Sequence, residues 1–357
     1  MTERACDACV ARSWLVARLA GHLELARGRI EQVLALGVYE LIAAIGGRET
    51  ARLGREFEML DVDEVRSRAL DAGLKAVCGC DPAYPPGLRA LAAPPAVLYV
   101  VGGVVDLLAG DSVAIVGSRR ATPYGLDMAR SLGRDLAVAG LTVVSGMALG
   151  IDSAAHAGAL EAGGPTIAVL PGQADRPYPP GKRGLYRRIV GEGGAAVSEL
   201  GQGRSVWRWM FPARNRIIAA LAAMTVVVEA GERSGSLVTA RLASGVGRPV
   251  GAVPGRVTTP QAKGSNGLLA AGACVVRGPQ DVLDHLFGVG ERTFREPRRE
   301  PPRELQPLLT AIAEGRETKA ALARAGFEPD EGLAALAALE LEGFVRRGPG
   351  GRYRVAP

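Results

Sequence analysis

The chain has 357 residues, 48% of them hydrophobic but only 4% aromatic. That is enough for two or three domains with a core of Ala, Val and Leu that needs no disulfides. The formal charge of +6, carried by arginine rather than lysine, leaves nucleic acid open as a partner without requiring it.

The start offers no basic segment leading into an apolar run, so no signal peptide is read and a cytoplasmic setting is expected. Residues 14–60 place apolar side chains at helical spacing, through Trp14, Leu15 and Leu19, then Ile30, Val33 and Leu34, then Leu41 and Ile42. Gly21, Gly28, Gly37 and the Gly46-Gly47 pair punctuate them. We expect a small helical N-terminal domain over 1–75. A helix-hairpin-helix would give it DNA contact, whereas the weak glycine pattern favours a plain docking domain. Residues 81–95 are rich in proline and read as an extended linker that packs on the α/β region after it.

From residue 112 onward strand and helix signals alternate. Strands are expected at 112–116, 141–144, 166–170, 195–198, 225–229, 249–253 and 274–276. The runs Val113-Ala114-Ile115-Val116 and Val226-Val227-Val228 are apolar on both faces, as buried parallel strands require. This alternation means a doubly wound, mostly parallel α/β sheet over 76–288. Its ligands belong at the carboxyl ends of the strands. The longest apolar stretch, 217–228, is too short to span a bilayer, so no membrane association is expected. Residues 289–304 carry Arg, Glu and Pro with almost nothing apolar and read as a linker. The tail, 305–357, shows three helical stretches and a hairpin around a Gly-Pro-Gly-Gly turn, a winged-helix-like outline. Such domains bind duplex DNA or serve protein contacts.

Six motifs carry candidate chemistry. Gly117-Ser118-Arg119-Arg120-Ala121-Thr122-Pro123 follows a buried strand and opens a helix with Pro at its first turn. Backbone amides and the helix dipole attract phosphate there, with hydroxyls from Ser118 and Thr122 and charge from Arg119. The pattern departs from Gly-x-Gly-x-x-Gly, so it does not ask for a dinucleotide cofactor. The bland alternative is a tight turn with solvated arginines. Ser145-Gly146 through His156 follows the second strand. Gly146 permits close approach, Asp152 or Ser153 would cap the next helix, and His156 is a candidate base, although a lone His is more often structural. The stretch 178–188 interleaves Lys182, Arg183, Arg187 and Arg188 with Tyr178 and Tyr186, the combination used on single strands. Its alternative is a solvated helix face. Arg214-Asn215-Arg216 sits at the start of a helix. Ser234-Gly235-Ser236 makes a second amide-rich turn, and Pro254-Gly255 with 263–269 a third.

The five cysteines are an odd number, which argues against a disulfide framework. Cys6-x-x-Cys9 and Cys78-x-Cys80 are two chelating pairs that meet if the N-terminus folds back on the linker. Four thiolates would close a tetrahedral structural zinc site, while Cys274 reads as a buried strand residue.

These six motifs, in this order, resemble the DprA/Smf family of DNA-processing proteins over residues 81–282, with the Tyr84-Pro85 and Pro95-Ala96-Val97-Leu98-Tyr99 stretches. The resemblance implies a Rossmann-like fold and sequence-independent binding and protection of single-stranded DNA. It further implies a homodimer formed through that domain and loading of the recombinase RecA in natural transformation, with no cofactor required. By resemblance Arg119 is the leading DNA contact, and the basic contact after Tyr-Pro falls on Lys182 or Arg183. Two places depart from the family pattern: Lys182 stands where an Asn is usual, and Ala219-Ala220-Leu221-Ala222 replaces Ala-Gly-Leu-Ser.

A rival reading is a nucleoside-monophosphate hydrolase. Relatives of that kind carry Pro-Gly-Gly-x-Gly-Thr-x-x-Glu, and the segment 230–239 lacks the loop glutamate. With no acid or base assigned, we expect a binding protein rather than an enzyme. A ligand-sensing winged-helix regulator has only the tail in its favour.

Overall fold

The computed structural model describes residues 5–103, 105–201, 205–294, 302–324, 326–342, 344–348 and 351–355. The chain divides into two compact units, Met1–Arg295 and Glu296–Pro357. Part of the expected linker, residues 295–301, and the centre of the tail's hairpin turn lie outside the described residues.

The first unit is built on a sheet that has nine strands among the described residues. In chain order they are β1 (Lys75–Cys78), β2 (Val97–Gly102), β3 (Ser112–Val116), β4 (Thr142–Ser145), β5 (Thr166–Val169), β6 (Ala195–Ser198), β7 (Met224–Val227), β8 (Val250–Ala252) and β9 (Cys274–Val275). Their order across the sheet is β1-β2-β6-β5-β4-β3-β7-β8-β9. The seven from β6 to β9 run parallel, and β1 and β2 add an antiparallel edge. From β3 the chain winds one way to β4 and β5, and from β7 the other way to β8 and β9. The boundary between β3 and β7 is therefore the switch point, where the connecting loops part and leave a crevice.

Period-two alternation splits each central strand between two cores. Val113, Ile115, Val143, Val226 and Val228 face the helices Pro123–Val138 and Ile151–Glu161. Ala114, Val116, Val144, Val169, Val197 and Val227 face the Met210–Leu221 helix through Ile217 and Ile218. Apolar burial on both faces accounts for the continuous runs in the sequence. The expected parallel α/β architecture is present.

β1 and β2 were not expected. Tyr84 in the proline-rich segment is buried, in keeping with a connection that packs on the sheet, and its hydroxyl donates to the Pro95 carbonyl at 2.7 Å. Segment 81–95 is thus a packed connection carrying the short helix Pro86–Arg89. The N-terminal helices bury Leu15, Leu19, Leu23, Leu41 and Leu53 against Trp209, Met210 and Ala213. The Trp209 indole donates to the Ala20 carbonyl at 2.9 Å. Among the described residues, no helix is long and apolar enough to cross a membrane.

The second unit has the helices Gln306–Ala313, Lys319–Arg324 and Pro329–Leu341, followed by the hairpin Val345–Arg347 with Tyr353–Val355. Leu308, Ile312, Leu322, Leu336, Leu339, Val345 and Tyr353 form its own core.

Candidate nucleic-acid interface

A cavity of about 600 Å³ opens at the switch point, over the carboxyl ends of β3 and β7. Three helix starts supply its walls. After Val116 the chain turns through residues 117–120, and Thr122 then caps the Pro123–Val138 helix by accepting from the Gly125 amide at 3.1 Å. The Ser118 amide donates to the Glu229 carbonyl at 2.7 Å, which locks this turn to the end of β7. Ser234 caps the Gly235–Gly245 helix by accepting from the Ser236 amide at 3.4 Å. The Met210–Leu221 helix brings Phe211, Arg214 and Asn215 to the third wall. Asn215 donates to the Gly235 carbonyl at 3.4 Å and so ties two of these walls together.

The floor is polar and tightly fixed. Arg214 is buried, and its guanidinium donates to the carbonyls of Gly146 at 2.7 Å and Val169 at 2.6 Å. Burial lowers its pKa to about 10, opposed by the charge of Asp152 and reinforced by Arg119. Asp152, also buried, accepts from the amides of Gly146 at 3.2 Å and Ala148 at 3.4 Å. Burial raises its pKa, while Arg214 and the loop amides pull it down. Gly146 is required by this arrangement, because a Cβ there would sit 2.0 Å from the Arg214 guanidinium. Gly150 is required by backbone shape as well as space: its φ is +79° and a Cβ would meet the Ser118 carbonyl at 2.2 Å.

The rim is where free charge lies. Arg119, Arg120 and Arg233 are exposed and line the cavity. The Arg119 guanidinium stands 5.2 Å from the centre of the Phe211 ring, within cation–π range. Phe211 in turn meets Tyr178 edge-on, with ring centres 5.5 Å apart. That aromatic pair connects the cavity to the 178–188 segment, where a second basic recess is lined by Arg176, Arg183 and Arg187.

Of the residues singled out in the sequence, Gly117, Ser118, Arg119, Arg214, Asn215, Ser234, Gly235 and Ser236 meet around this one cavity. Others are placed elsewhere. The Thr122 hydroxyl is committed to Glu229 at 2.5 Å and stands outside the cavity lining. Gly146 packs beneath the floor. Arg216 is buried and paired with Glu199, away from the cavity. Lys182 and Arg183 lie at the start of the Arg183–Gly191 helix, outside the main cavity. Tyr186 is buried with its hydroxyl donating to the Ala174 carbonyl at 2.8 Å, and it reaches the surface only at the lining of the second recess. His156 is buried, bonded to Thr166 at 2.6 Å, and driven by desolvation down to about 3, so it stays neutral and structural. The helix after Gly146 begins at Ile151, so Asp152 does not cap it but turns back onto the loop amides. Asn266 in the sixth motif clasps both backbone groups of Gly255 at 3.0 Å, a purely structural link.

Arg120, Arg233 and Phe211 belong to this site although the sequence reading did not single them out. Arg120 stood inside the first motif, while Phe211 and Arg233 lie just ahead of Arg214 and Ser234, and the signal missed was the meeting of three motifs at one crevice. Cys6, Cys9, Cys78 and Cys80 also converge, with all four Sγ atoms within 4.8 Å of one another, a cluster capable of holding a metal. Cys274 is only half-buried.

A doubly wound parallel sheet with arginines and helix starts gathered at its switch point defines a Rossmann-like α/β protein with a basic, amide-rich crevice. The family model of DNA recombination-mediator protein A matches residues 75–287. The chain is 38% identical over 270 residues to the putative DNA processing protein DprA of Mycobacterium tuberculosis, covering 73% of this chain and 69% of that protein. It is 37% identical over 281 residues to protein Smf of Escherichia coli, covering 76% and 75%. The crystal structure of DNA processing protein A from Streptococcus pneumoniae superposes with a TM-score of 0.64 at 32% identity, covering 79% of this chain and 98% of that one. The Helicobacter pylori protein, whose structure is described for its single-stranded DNA binding mode, superposes with a TM-score of 0.52 at 32% identity, covering 60% and 97%. The chain belongs to the DNA recombination-mediator protein A family.

Proposed function

We propose that this protein binds single-stranded DNA without regard to sequence, through the switch-point cavity and the basic segment beside it. The observation that carries the reading is the rim: three exposed arginines around helix starts, with Phe211 and Tyr178 at the edge. Arginines and free amides suit phosphates, and aromatic faces suit unpaired bases. Gly117, Ser118, Arg119, Asn215, Ser234 and Gly235 take backbone contacts in this reading, and Arg214 supplies fixed positive charge below them. Lys182 and Arg183 extend the track along the 178–188 segment. No cofactor enters the site. Residues 76–288 form the binding domain and 305–357 a winged-helix accessory domain.

The same reading includes protection of incoming DNA, assembly as a homodimer, and loading of RecA in the cytoplasm during transformation and recombination. Family membership supports these parts. A hydrolase is disfavoured because Asp152, the one carboxylate lining the cavity among the described residues, is held by backbone amides.

The test is anisotropy of a labelled dT oligonucleotide against the duplex and against a mixed-sequence single strand, beside an assay for base release from mononucleotides. Tight binding to both single strands, weaker binding to duplex and no base release are expected. Equal affinity for duplex, or turnover of a mononucleotide, would overturn the proposal. Mass measurement in solution and RecA filament formation on coated single strands test the dimer and the loading step.

A further inference from the structure

Two chain segments 71 residues apart bring four sulfurs to one point at the edge of the sheet. Cys6 precedes the Asp7–Arg18 helix and Cys9 lies in its first turn. Cys78 ends β1, the edge strand, and Cys80 follows in the next turn. The Cys9 and Cys80 Sγ atoms are 3.9 Å apart, and all four lie within 4.8 Å of one another. We propose that Cys6, Cys9, Cys78 and Cys80 bind one zinc ion, which pins the N-terminal helix to the antiparallel edge of the sheet.

The spacing decides between the options for such a cluster. A tetrahedral zinc with Zn–S bonds of about 2.3 Å holds its sulfurs about 3.8 Å apart. A disulfide needs about 2.05 Å, and an iron–sulfur cluster holds its cysteines apart by the width of its own core. The Cys9–Cys80 separation of 3.9 Å matches that of a single ion, and all four sulfurs stay within 4.8 Å of one another. All-thiolate ligation suits zinc among the common divalent cations, because soft ligands exclude magnesium and calcium.

The surroundings fit a site carrying net negative charge. Four thiolates and one zinc sum to −2. The cluster sits at the N-terminus of a twelve-residue helix, where the dipole favours negative charge. The Cys6 amide donates to the Cys78 sulfur at 3.5 Å. Cys78 is buried, Cys6 and Cys9 are half-buried and Cys80 is exposed, so an ion can enter from one side while the other packs on Val10, Val97 and Tyr99. A merely apolar cluster has no use for the exposed Cys80.

The site has a mechanical consequence. The Asp7–Arg18 helix carries Leu15, which packs in the same cluster as Trp209, Met210 and Ala213 of the helix bearing Arg214. Zinc would therefore brace the layer behind the nucleic-acid cavity without touching it.

The full-length protein, expressed with added zinc and purified under reducing conditions, should contain one zinc per chain by plasma mass spectrometry. Exchange for Co²⁺ should give the intense visible bands and near-ultraviolet charge transfer of tetrahedral cobalt thiolate. The Cys9→Ser/Cys80→Ser double variant should lose at least nine-tenths of the metal, and Cys274→Ser should keep it. Removal of zinc by a chelator should speed proteolytic cleavage of the N-terminal helices. Wild-type protein that holds no zinc and gives no cobalt thiolate bands would overturn the proposal, as would a Cys9–Cys80 disulfide in the reduced preparation. These readouts need no DNA, so they stand or fall apart from the binding function.

Discussion

The crevice over β3 and β7 and the basic segment around Tyr178 both present arginine, but they are built differently. The crevice has a floor of buried groups held in place by backbone: Arg214 donates to the Gly146 and Val169 carbonyls, and Asp152 accepts from the Gly146 and Ala148 amides. Its exposed arginines stand on turns locked to neighbouring strands by bonds such as that from Ser118 to Glu229. The segment around Lys182 and Arg183 has charge and a recess of about 520 Å³, with Tyr186 largely buried in its lining. Preorganised donors lose little freedom when they meet a phosphate, whereas solvated side chains must be ordered first. The crevice should therefore carry the larger share of binding, with the segment adding electrostatic reach.

The largest effect we expect tests the buried layer behind that contrast. Arg216 is buried against Glu199, so Arg216→Ala leaves a carboxylate uncompensated and should cost about 3–5 kcal/mol of stability. Denaturant unfolding would measure it. A loss under about 1 kcal/mol, the range of an exposed pair, would mean that this arginine is free for a surface role after all.

Arg119→Ala comes next. A charge-assisted contact to phosphate is worth about 1.5–3 kcal/mol, so single-strand affinity should fall roughly tenfold or more for every base sequence. The slope of log affinity against log salt should become shallower by about 0.7. Unchanged affinity and slope across a salt series of dT binding would reduce the turn at 117–120 to a structural element.

Replacing Lys182 and Arg183 together with alanine should weaken binding less, by roughly threefold at physiological salt, because Arg183 is exposed and Lys182 only half-buried, so both charges are screened. A loss exceeding that of Arg119→Ala would reverse the comparison and put the centre of binding on the 178–188 segment.

The smallest effect is expected from removing the second unit. Gln280 bonds the Phe294 amide at 2.8 Å, so truncation after residue 294 keeps the first unit's last contacts. Single-strand affinity should stay within about threefold, since the cavity lies wholly within the first unit. Duplex binding is the property this truncation should change.

Local chemistry was legible from residue order. The apolar runs at 113–116 and 226–228 gave the parallel strands, because burial on both faces leaves no polar alternation. Gly117, Pro123 and Ser234 marked strand-to-helix turns, because their backbone preferences act within a few residues. The two cysteine pairs were legible by spacing, and the fold then brought their four Sγ atoms within 4.8 Å of one another. What residue order left open was decided by contacts between distant segments. β1 and β2 were missed because a short strand such as Lys75–Cys78 is defined by its partner rather than by its own pattern. Arg214 and Arg216 looked like Arg119, and only packing against β4, β5 and Glu199 buried them. The burial of a charge is a property of everything that surrounds it, so the tertiary structure alone determined which arginines brace the fold and which remain free to meet a phosphate.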